Sequence, residues 1–432
     1  MKRVTMFLAV VFAIGLATAR VEAKVLTLDD CIEIALEKRA SIIQARGSAR
    51  YAGAEKLSAL GAMLPSVSAG YGYSRGKETN IENPTSPDKK EQKSGPSKTL
   101  SLSLGLSVFD PANWFSYAAA SAAKASAELD VLASEQDLIQ SVKIAYYAYL
   151  AAQQNLTVQE EAAQRAEEQL KLIQSRYELG SASKSDVLKQ KVQFGTDQLA
   201  LLRAKDGVVE YEASLAYTIG LDPREKYEFS ADYRVQELSI TLDEAIGVSL
   251  THNPSLLAGE KSADQAKHNL RAAKSNYLPT LSVSYDMSRF NGTLGYPNEF
   301  DYSSHSRDWG FRISYPIFNG FVREQQVTAA SVSRNNALAQ LADTRNFTVT
   351  TVKTTHFEVA QLGTQREVSQ ENVAAAEEDL RITQEKYNLG AATILDLLNA
   401  QVSLKEAQVA LIQVQFDLNL AIARLENAMG KM

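Results

Sequence analysis

LTLDDCIEIALEKRASIIQARGSARYAGAEKLSALGAMLPSVSAGYGYSRG, residues 26–76, and ITLDEAIGVSLTHNPSLLAGEKSADQAKHNLRAAKSNYLPTLSVSYDMSRF, residues 240–290, are two copies of one passage. At a constant offset of 214, Thr27 answers Thr241, Asp29 answers Asp243, Ser41 answers Ser255, Pro65 answers Pro279 and Tyr71 answers Tyr285. A second pair, RYELGSASKSDVL from Arg176 and KYNLGAATILDLL from Lys386, follows at an offset of 210. The chain is a tandem duplication of a unit of about 200 residues, and its fold is that unit read twice.

Each copy opens with a helix. Thr27 is an N-cap followed by Asp30, and Thr241 with Glu244 forms a capping box. Leu28, Ile32, Ala35 and Leu36 recur at helical spacing, which predicts a first helix over 27–62 and a twin over 241–275. Pro65 and Pro279 stop them. The period then changes from 3.6 to 2. Val67, Ala69, Tyr71 and Tyr73 alternate with Ser66, Ser68, Gly70 and Gly72. Leu100, Leu102, Leu104, Leu106 and Val108 alternate with serine and glycine, and Leu281, Val283, Tyr285 and Met287 repeat the pattern. Trp309, Phe311, Ile313, Tyr315 and Ile317 face away from Gly310, Arg312, Ser314 and Pro316. Strands are expected at about 64–74, 98–109, 278–289 and 308–318, with exposed loops at 74–97 and 291–307, which are rich in Gly, Pro, Asn, Ser and charge.

Long helices follow. A pattern of Ala, Leu, Gln and Glu runs over 111–179, and its twin over 321–389. At 1.5 Å per residue each is about 100 Å long. The shorter helices, 27–62 with 183–219 and 241–275 with 393–429, stack end to end to the same length. That predicts a mostly α protein of coiled-coil or tubular packing. Glycine in Tyr177-Glu178-Leu179-Gly180 and in Tyr387-Asn388-Leu389-Gly390 is the expected C-cap of each long helix, where the chain turns back at the end far from the strands. The organisation expected is a leader over 1–23, a first repeat over 24–225, a linker over 226–239 and a second repeat over 240–432.

The leader has Lys2 and Arg3, an apolar run from Met6 to Leu16, and Ala23 at the cleavage position, the pattern of an export signal. Strands of about 9 to 11 residues with one apolar face are long enough to cross a bilayer at a tilt. Alternation alone also fits a soluble sandwich. Export, aromatics near strand ends and the lack of a second sheet favour lipid. Four strands do not close a barrel, so several chains must contribute: two would give eight strands and three would give twelve, about the range of known barrels.

Other classes are disfavoured. A net charge of −6 gives no reason to expect nucleic acid. The single Cys31 makes no intrachain disulfide and reads as a small buried side chain matched by Ala245. His252, His268, His305 and His356 are scattered without metal-ligand spacing, and no glycine-rich phosphate loop follows a strand. No enzyme, cofactor or metal site is expected. Asp186 and Asp396 lie at matched places past the turn glycines, where a carboxylate suits a helix N-terminus and, on an axis shared by several chains, forms a ring at a pore mouth. Arg176, Lys184, Asp186 and Lys189 are candidates to pair across neighbouring helices.

The leader, the TLDD and TLDE openings, LP before a short strand, YxLGxxxxxDxL at the hairpins and the duplication together resemble the outer membrane efflux protein (TolC-like) family over essentially the whole mature chain. The resemblance implies a homotrimer whose chains share one 12-stranded outer-membrane barrel continued by a periplasmic helical tunnel. It implies an exit duct of an efflux or type I secretion system, partnered by outer-membrane lipid, a periplasmic adaptor and an inner-membrane pump of RND, ABC or MFS type. It gives Asp396 a place in an acidic ring at the periplasmic entrance, with Asn399 where the family's best-known tunnel has a second acid. Tyr387 keeps the turn tyrosine associated with the gate, while Ala392 stands where that tunnel has a latching basic residue. The adaptor is expected at the hairpins, around Leu179, Gly180 and Ser181 and around Leu389, Gly390 and Ala391. The competing reading is a pore-less periplasmic coiled-coil or adaptor protein, which has no use for strands with a lipid-facing side.

Overall fold

The computed structural model describes residues 25–75, 79–82, 90–230, 240–295 and 299–431, with backbone only at 79–82, 90–95, 293–295 and 299–302. The expected leader over 1–23 and most of the linker over 226–239 lie outside the described residues. The element order is α1 (Leu28–Lys38), α2 (Ala40–Gly61), β1 (Ser66–Ser74), β2 (Thr79–Glu82), β3 (Lys90–Phe109), α3 (Pro111–Glu178), α4 (Lys184–Thr218), α5 (Leu242–His252), α6 (Pro254–Ser275), β4 (Thr280–Gly295), β5 (Glu299–Ser314), α7 (Val322–Asn388) and α8 (Ile394–Met429). Two compact units divide the chain: one of residues 1–39, 138–239 and 357–424, the other of residues 40–137, 240–356 and 425–432.

Local chemistry starts each helix. Thr27 and Thr241 both make full capping boxes, with Asp30 and Glu244 respectively, so the aspartate serves as well as the glutamate. Pro111 occupies the first position of α3, and Asp110 accepts from the amide of Ala112 at 3.1 Å. The 68 residues of α3 and 67 of α7 contain no interior proline, and nothing interrupts the backbone ladder.

The opening helices are not continuous as expected. The first copy breaks at Arg39, whose backbone is extended at ψ 130°, and the second at Asn253, extended at ψ 117°. These positions match at the repeat offset of 214. In the second copy the cause is legible: Pro254 takes the first helical position and Asn253 caps it. In the first copy Arg39 Nη1 donates to the Tyr217 carbonyl at 3.0 Å and the guanidinium lies 4.8 Å from that ring's centroid. A tertiary contact there does what proline does in the twin.

In the first unit the segment that follows α4 is pinned beside the residues that lead into α1. Leu26 bridges Phe229 in parallel, with its amide 2.8 Å from the Glu228 carbonyl, and Tyr149 packs edge-on against Phe229. The core combines small residues such as Ala162, Ala163 and Ala166, which let helix backbones approach closely, with Tyr146 and Tyr149 and with aliphatic side chains such as Val142, Ile173 and Leu215. Cys31 is fully buried there; burial, and then the Asp30 charge, push its thiol up to about 12.

In the second unit the long strands form one antiparallel sheet in the order β1-β3-β4-β5, with short β2 on β3. Cross-strand register joins Val67, Leu104, Tyr285 and Trp309 in one row, and Ser68, Ser103, Asp286 and Asp308 in the next on the opposite face. Apolar and polar rows alternate along the sheet. Three expectations need correcting. The ladders extend past the apolar alternation: β3 begins at Lys90, and β4 and β5 stay paired to Gly295 and Glu299, so much of the expected loops is strand. A ladder is made of backbone bonds and asks for no apolar side chain. Val108 falls in a register shift between Ser107 and Phe109, so Phe109 pairs with Leu281 in its place. Tyr315 and Ile317 lie beyond the end of β5, whose pairing stops at Ser314 before Pro316.

Candidate functional site

Two features of different chemistry stand out, one in each unit. The first is the pair of hairpins where α3 turns into α4 and α7 into α8. Both long helices end the same way. Gly180 has φ +76° and donates to the Tyr177 carbonyl at 2.9 Å, while the Ser181 amide reaches Arg176 at 2.8 Å. Gly390 has φ +75° and donates to Tyr387 at 3.1 Å, while the Ala391 amide reaches Lys386 at 2.8 Å. This is the Schellman termination, and its left-handed residue favours glycine.

The return helices then start on capping boxes. Asp186 accepts from Ser183 Oγ at 2.8 Å and from its amide at 3.2 Å; Asp396 accepts from Thr393 Oγ1 at 2.7 Å and from its amide at 2.8 Å. These hydrogen bonds hold the Asp396 carboxyl below the ordinary carboxylate range. Both aspartates are thus structural N3 residues. Asp396 is nonetheless exposed and its second oxygen projects free of the box. The signal was in the sequence, since SKSD and TILD each place a hydroxyl three residues before a carboxylate.

The hairpins pack on each other through buried Ile173, Ile394 and Leu397, with Ala182, Val187, Tyr387 and Leu398 around them. Arg176 crosses from the first hairpin to the second. Its guanidinium lies 5.3 Å from the Tyr387 ring centroid, and Nη2 donates to Asn388 Oδ1 at 3.3 Å. Lys184 and Lys189 are exposed, as is Asn399, whereas Ala392 is half-buried. At the turns Leu179 is 83 % and Leu389 85 % exposed, with Gly180, Ser181, Gly390 and Ala391 beside them on the surface.

Sequence reasoning passed over one pair nearby. Lys405 Nζ meets Asp197 Oδ1 at 2.7 Å, and Gln193 donates to Oδ2 at 2.9 Å. The two charged side chains are 18 % and 6 % exposed, and they tie α4 to α8. Nothing in their spacing, 208 residues apart, marks them as partners.

The second feature is the sheet. Leu100, Leu102, Leu104, Phe311, Ile313 and Trp309 are exposed and Leu106 is half-buried, all on one face. The other face carries Ser66, Gly105, Ser284 and Gly310 in one row, and the Ser68, Ser103, Asp286 and Asp308 row beside it. Among the described residues β1 and β5 are each paired along one side only, which leaves two free edges. No helix of the described residues is long and apolar enough to cross a membrane, and no group of side chains there has the makings of a metal site.

Known proteins share this fold. The family model described as outer membrane efflux protein matches residues 31–221 and again 245–431. The outer membrane efflux protein BepC of Brucella suis is 23 % identical over 407 residues, covering 94 % of this chain and 86 % of that one. The alkaline protease secretion protein AprF of Pseudomonas aeruginosa is 24 % identical over 369 residues, covering 84 % and 76 %. The crystal structure of the outer membrane protein VceC from Vibrio cholerae superposes with a TM-score of 0.79 at 22 % identity, covering 93 % of this chain and 96 % of that one. With the family model matched across both repeats, the chain belongs to the outer membrane efflux protein family.

Proposed function

We propose that this protein is the outer-membrane exit duct of a tripartite efflux or type I secretion assembly, formed by three copies. The observation that carries the reading is the sheet: an apolar face left bare, a polar face of serine, glycine and aspartate, and two unpaired edges. Unpaired backbone is not tolerated in hydrocarbon, so the edges must find strands. A ring of copies, β5 of each against β1 of the next, satisfies them, and three copies give a barrel of twelve long strands. The bare face then meets lipid and the polar face lines a wet lumen. The names of the relatives, efflux for BepC and protease secretion for AprF, fit a conduit for either class of cargo.

Such a tube has no chemistry of its own, and the energy comes from an inner-membrane pump of RND, ABC or MFS class. Leu179, Gly180 and Ser181 with Leu389, Gly390 and Ala391 supply an exposed apolar surface with close backbone approach for a periplasmic adaptor. Asp396 of each copy contributes to a carboxylate ring at the entrance, with Asn399 uncharged beside it. The Arg176–Tyr387–Asn388 contact holds the two hairpins of a copy together and keeps the entrance narrow. It supplies the basic group that Ala392 does not.

Outer-membrane fractionation tests the assignment of the faces. Leu104→Arg places a charge on the lipid face at a cost of about 2–4 kcal/mol per site, and assembled protein should fall sharply in the membrane fraction. Ser103→Arg, on the lumen face, should leave assembly intact. Equal assembly of the two variants would contradict the proposed faces.

A further inference from the structure

The apolar face of the sheet ends in a line of cations at the side away from the helices. Lys98 is paired across the strands with Tyr73 and Asn291, Arg289 with Leu100 and His305, and Arg307 with Met287. The register puts all three on the face that carries Leu102, Leu104 and Trp309. Arg289 is diagonal both to Lys98 and to Arg307, a relation that sets neighbours about 7–8 Å apart. All three side chains are exposed. Among the described residues none of them makes an ion pair. Among the side chains described, the acids of β4 and β5, Asp286 and Asp308, are paired with each other on the opposite face.

The other end of the same face is built differently. Phe109 packs edge-on against Trp114 at 5.5 Å, and Phe318 against Phe321 at 5.4 Å, where strands pass into helices. Aromatic groups suit either boundary of a bilayer, but three unneutralised cations do not lie in hydrocarbon without an anion. From Phe109 to Lys98 the strand climbs about 25 Å at the usual tilt, the height of a barrel's apolar band. The cations therefore sit at its upper rim.

We propose that Lys98, Arg289 and Arg307 form a binding site for phosphate-monoester lipid headgroups of the outer leaflet. The inference rests on the reading of the sheet as membrane-spanning with its helices on the periplasmic side. A guanidinium presents a planar fork of donors to phosphate oxygens, and two such forks beside an ammonium match a headgroup of more than one negative charge. The aliphatic stems lie along the apolar face while the charged heads reach up to the phosphates. Such a site fixes the depth of the barrel in the membrane and selects the lipid around it.

Trp309, two residues from Arg307 on this face, reports on the contact directly. The full-length Trp114→Phe protein, in which Trp309 is the remaining tryptophan, is reconstituted into vesicles of dibrominated phosphatidylcholine, and its quenching is relieved by unbrominated competitor lipid. Phosphatidic acid should relieve quenching several-fold more effectively than unbrominated phosphatidylcholine; a factor of about five for each basic side chain is the order expected near an anionic surface. In Lys98→Gln/Arg289→Gln/Arg307→Gln the two competitors should become nearly equal. Equal competition in the parent protein, or a preference retained in the triple variant, would overturn the site while leaving the membrane reading in place. A Trp309 that dibrominated phosphatidylcholine does not quench would overturn the membrane reading and the site with it.

Discussion

The guanidinium of Arg176, on the last turn of α3, lies over the ring of Tyr387, on the last turn of α7, at 5.3 Å from its centroid. The contact joins the two hairpins at the point where the first repeat has arginine and the second has lysine. A cation–π contact of this exposure is worth about 0.5–1 kcal/mol, enough to move a closed-to-open ratio about two- to fivefold. Arg176→Gln should raise the open-to-closed ratio of single channels by that factor. Tyr387→Leu should do the same, and the double variant should do little more than either. Fully additive effects, or none, would show that the contact does not latch the hairpins.

Asp396 gives a pH dependence. Its carboxyl is held low by Thr393, so the folded group stays ionised to a lower pH than the same aspartate in an unfolded chain, and the proposed ring loses charge only as pH falls through that depressed value. Divalent-cation block of the channel should therefore persist into acid below the ordinary carboxylate range. Thr393→Val removes the hydroxyl donor and should move the midpoint of block upward, and Asp396→Ala should abolish block. Unchanged block in Asp396→Ala would refute the ring.

The Asp197–Lys405 pair is a stability element. Removing one partner leaves a charge without its counterion between α4 and α8, and Asp197→Ala or Lys405→Ala should each cost about 3–5 kcal/mol. Asp197→Leu/Lys405→Met should recover most of the loss, because apolar side chains of similar size replace such pairs at little cost. Chemical denaturation of the detergent-extracted protein reads both. A double variant as unstable as the single ones would point instead to a packing defect.

Two glycines with similar backbone angles should answer differently to alanine. Gly180 has φ +76° and open space around it, so Gly180→Ala meets only the left-handed strain of about 1–2 kcal/mol. Gly430 has φ +72°, and a Cβ there would lie 2.5 Å from the His252 carbonyl oxygen and 2.9 Å from Asn253 Cα. Gly430→Ala should be clearly the more destabilising of the two in thermal unfolding. Its repeat partner Gly220 faces Lys38 in the same way, with a Cβ contact at 3.2 Å, and should fall between them.

Most of the architecture was legible because periodicity changed sharply, from 3.6 in the helices to 2 at Pro65 and Pro279, and because the chain states its pattern twice. What escaped has physical causes. The break at Arg39 has no proline and depends on Tyr217, 178 residues away, although Pro254 at the matching point of the second repeat was the clue. The polar ends of β3, β4 and β5 escaped because the reading followed apolar side chains, while strand pairing follows the backbone. The bulge at Val108 shifts one residue and leaves no mark on composition. At the hairpins the aspartates were legible but their capping role was underweighted. Arg176 was named, but its aromatic partner lies 211 residues on, and only folding brings them together.

The central claim is that the sheet, completed by two further copies, encloses a water-filled pore. Recording single channels from the purified full-length protein in planar lipid bilayers tests it most directly. The account predicts discrete, uniform conductance steps, with the channel open for a larger share of the time in Arg176→Gln than in the parent. Protein that inserts or binds to the bilayer but never gives discrete steps, even as Arg176→Gln/Asp396→Ala, would contradict it.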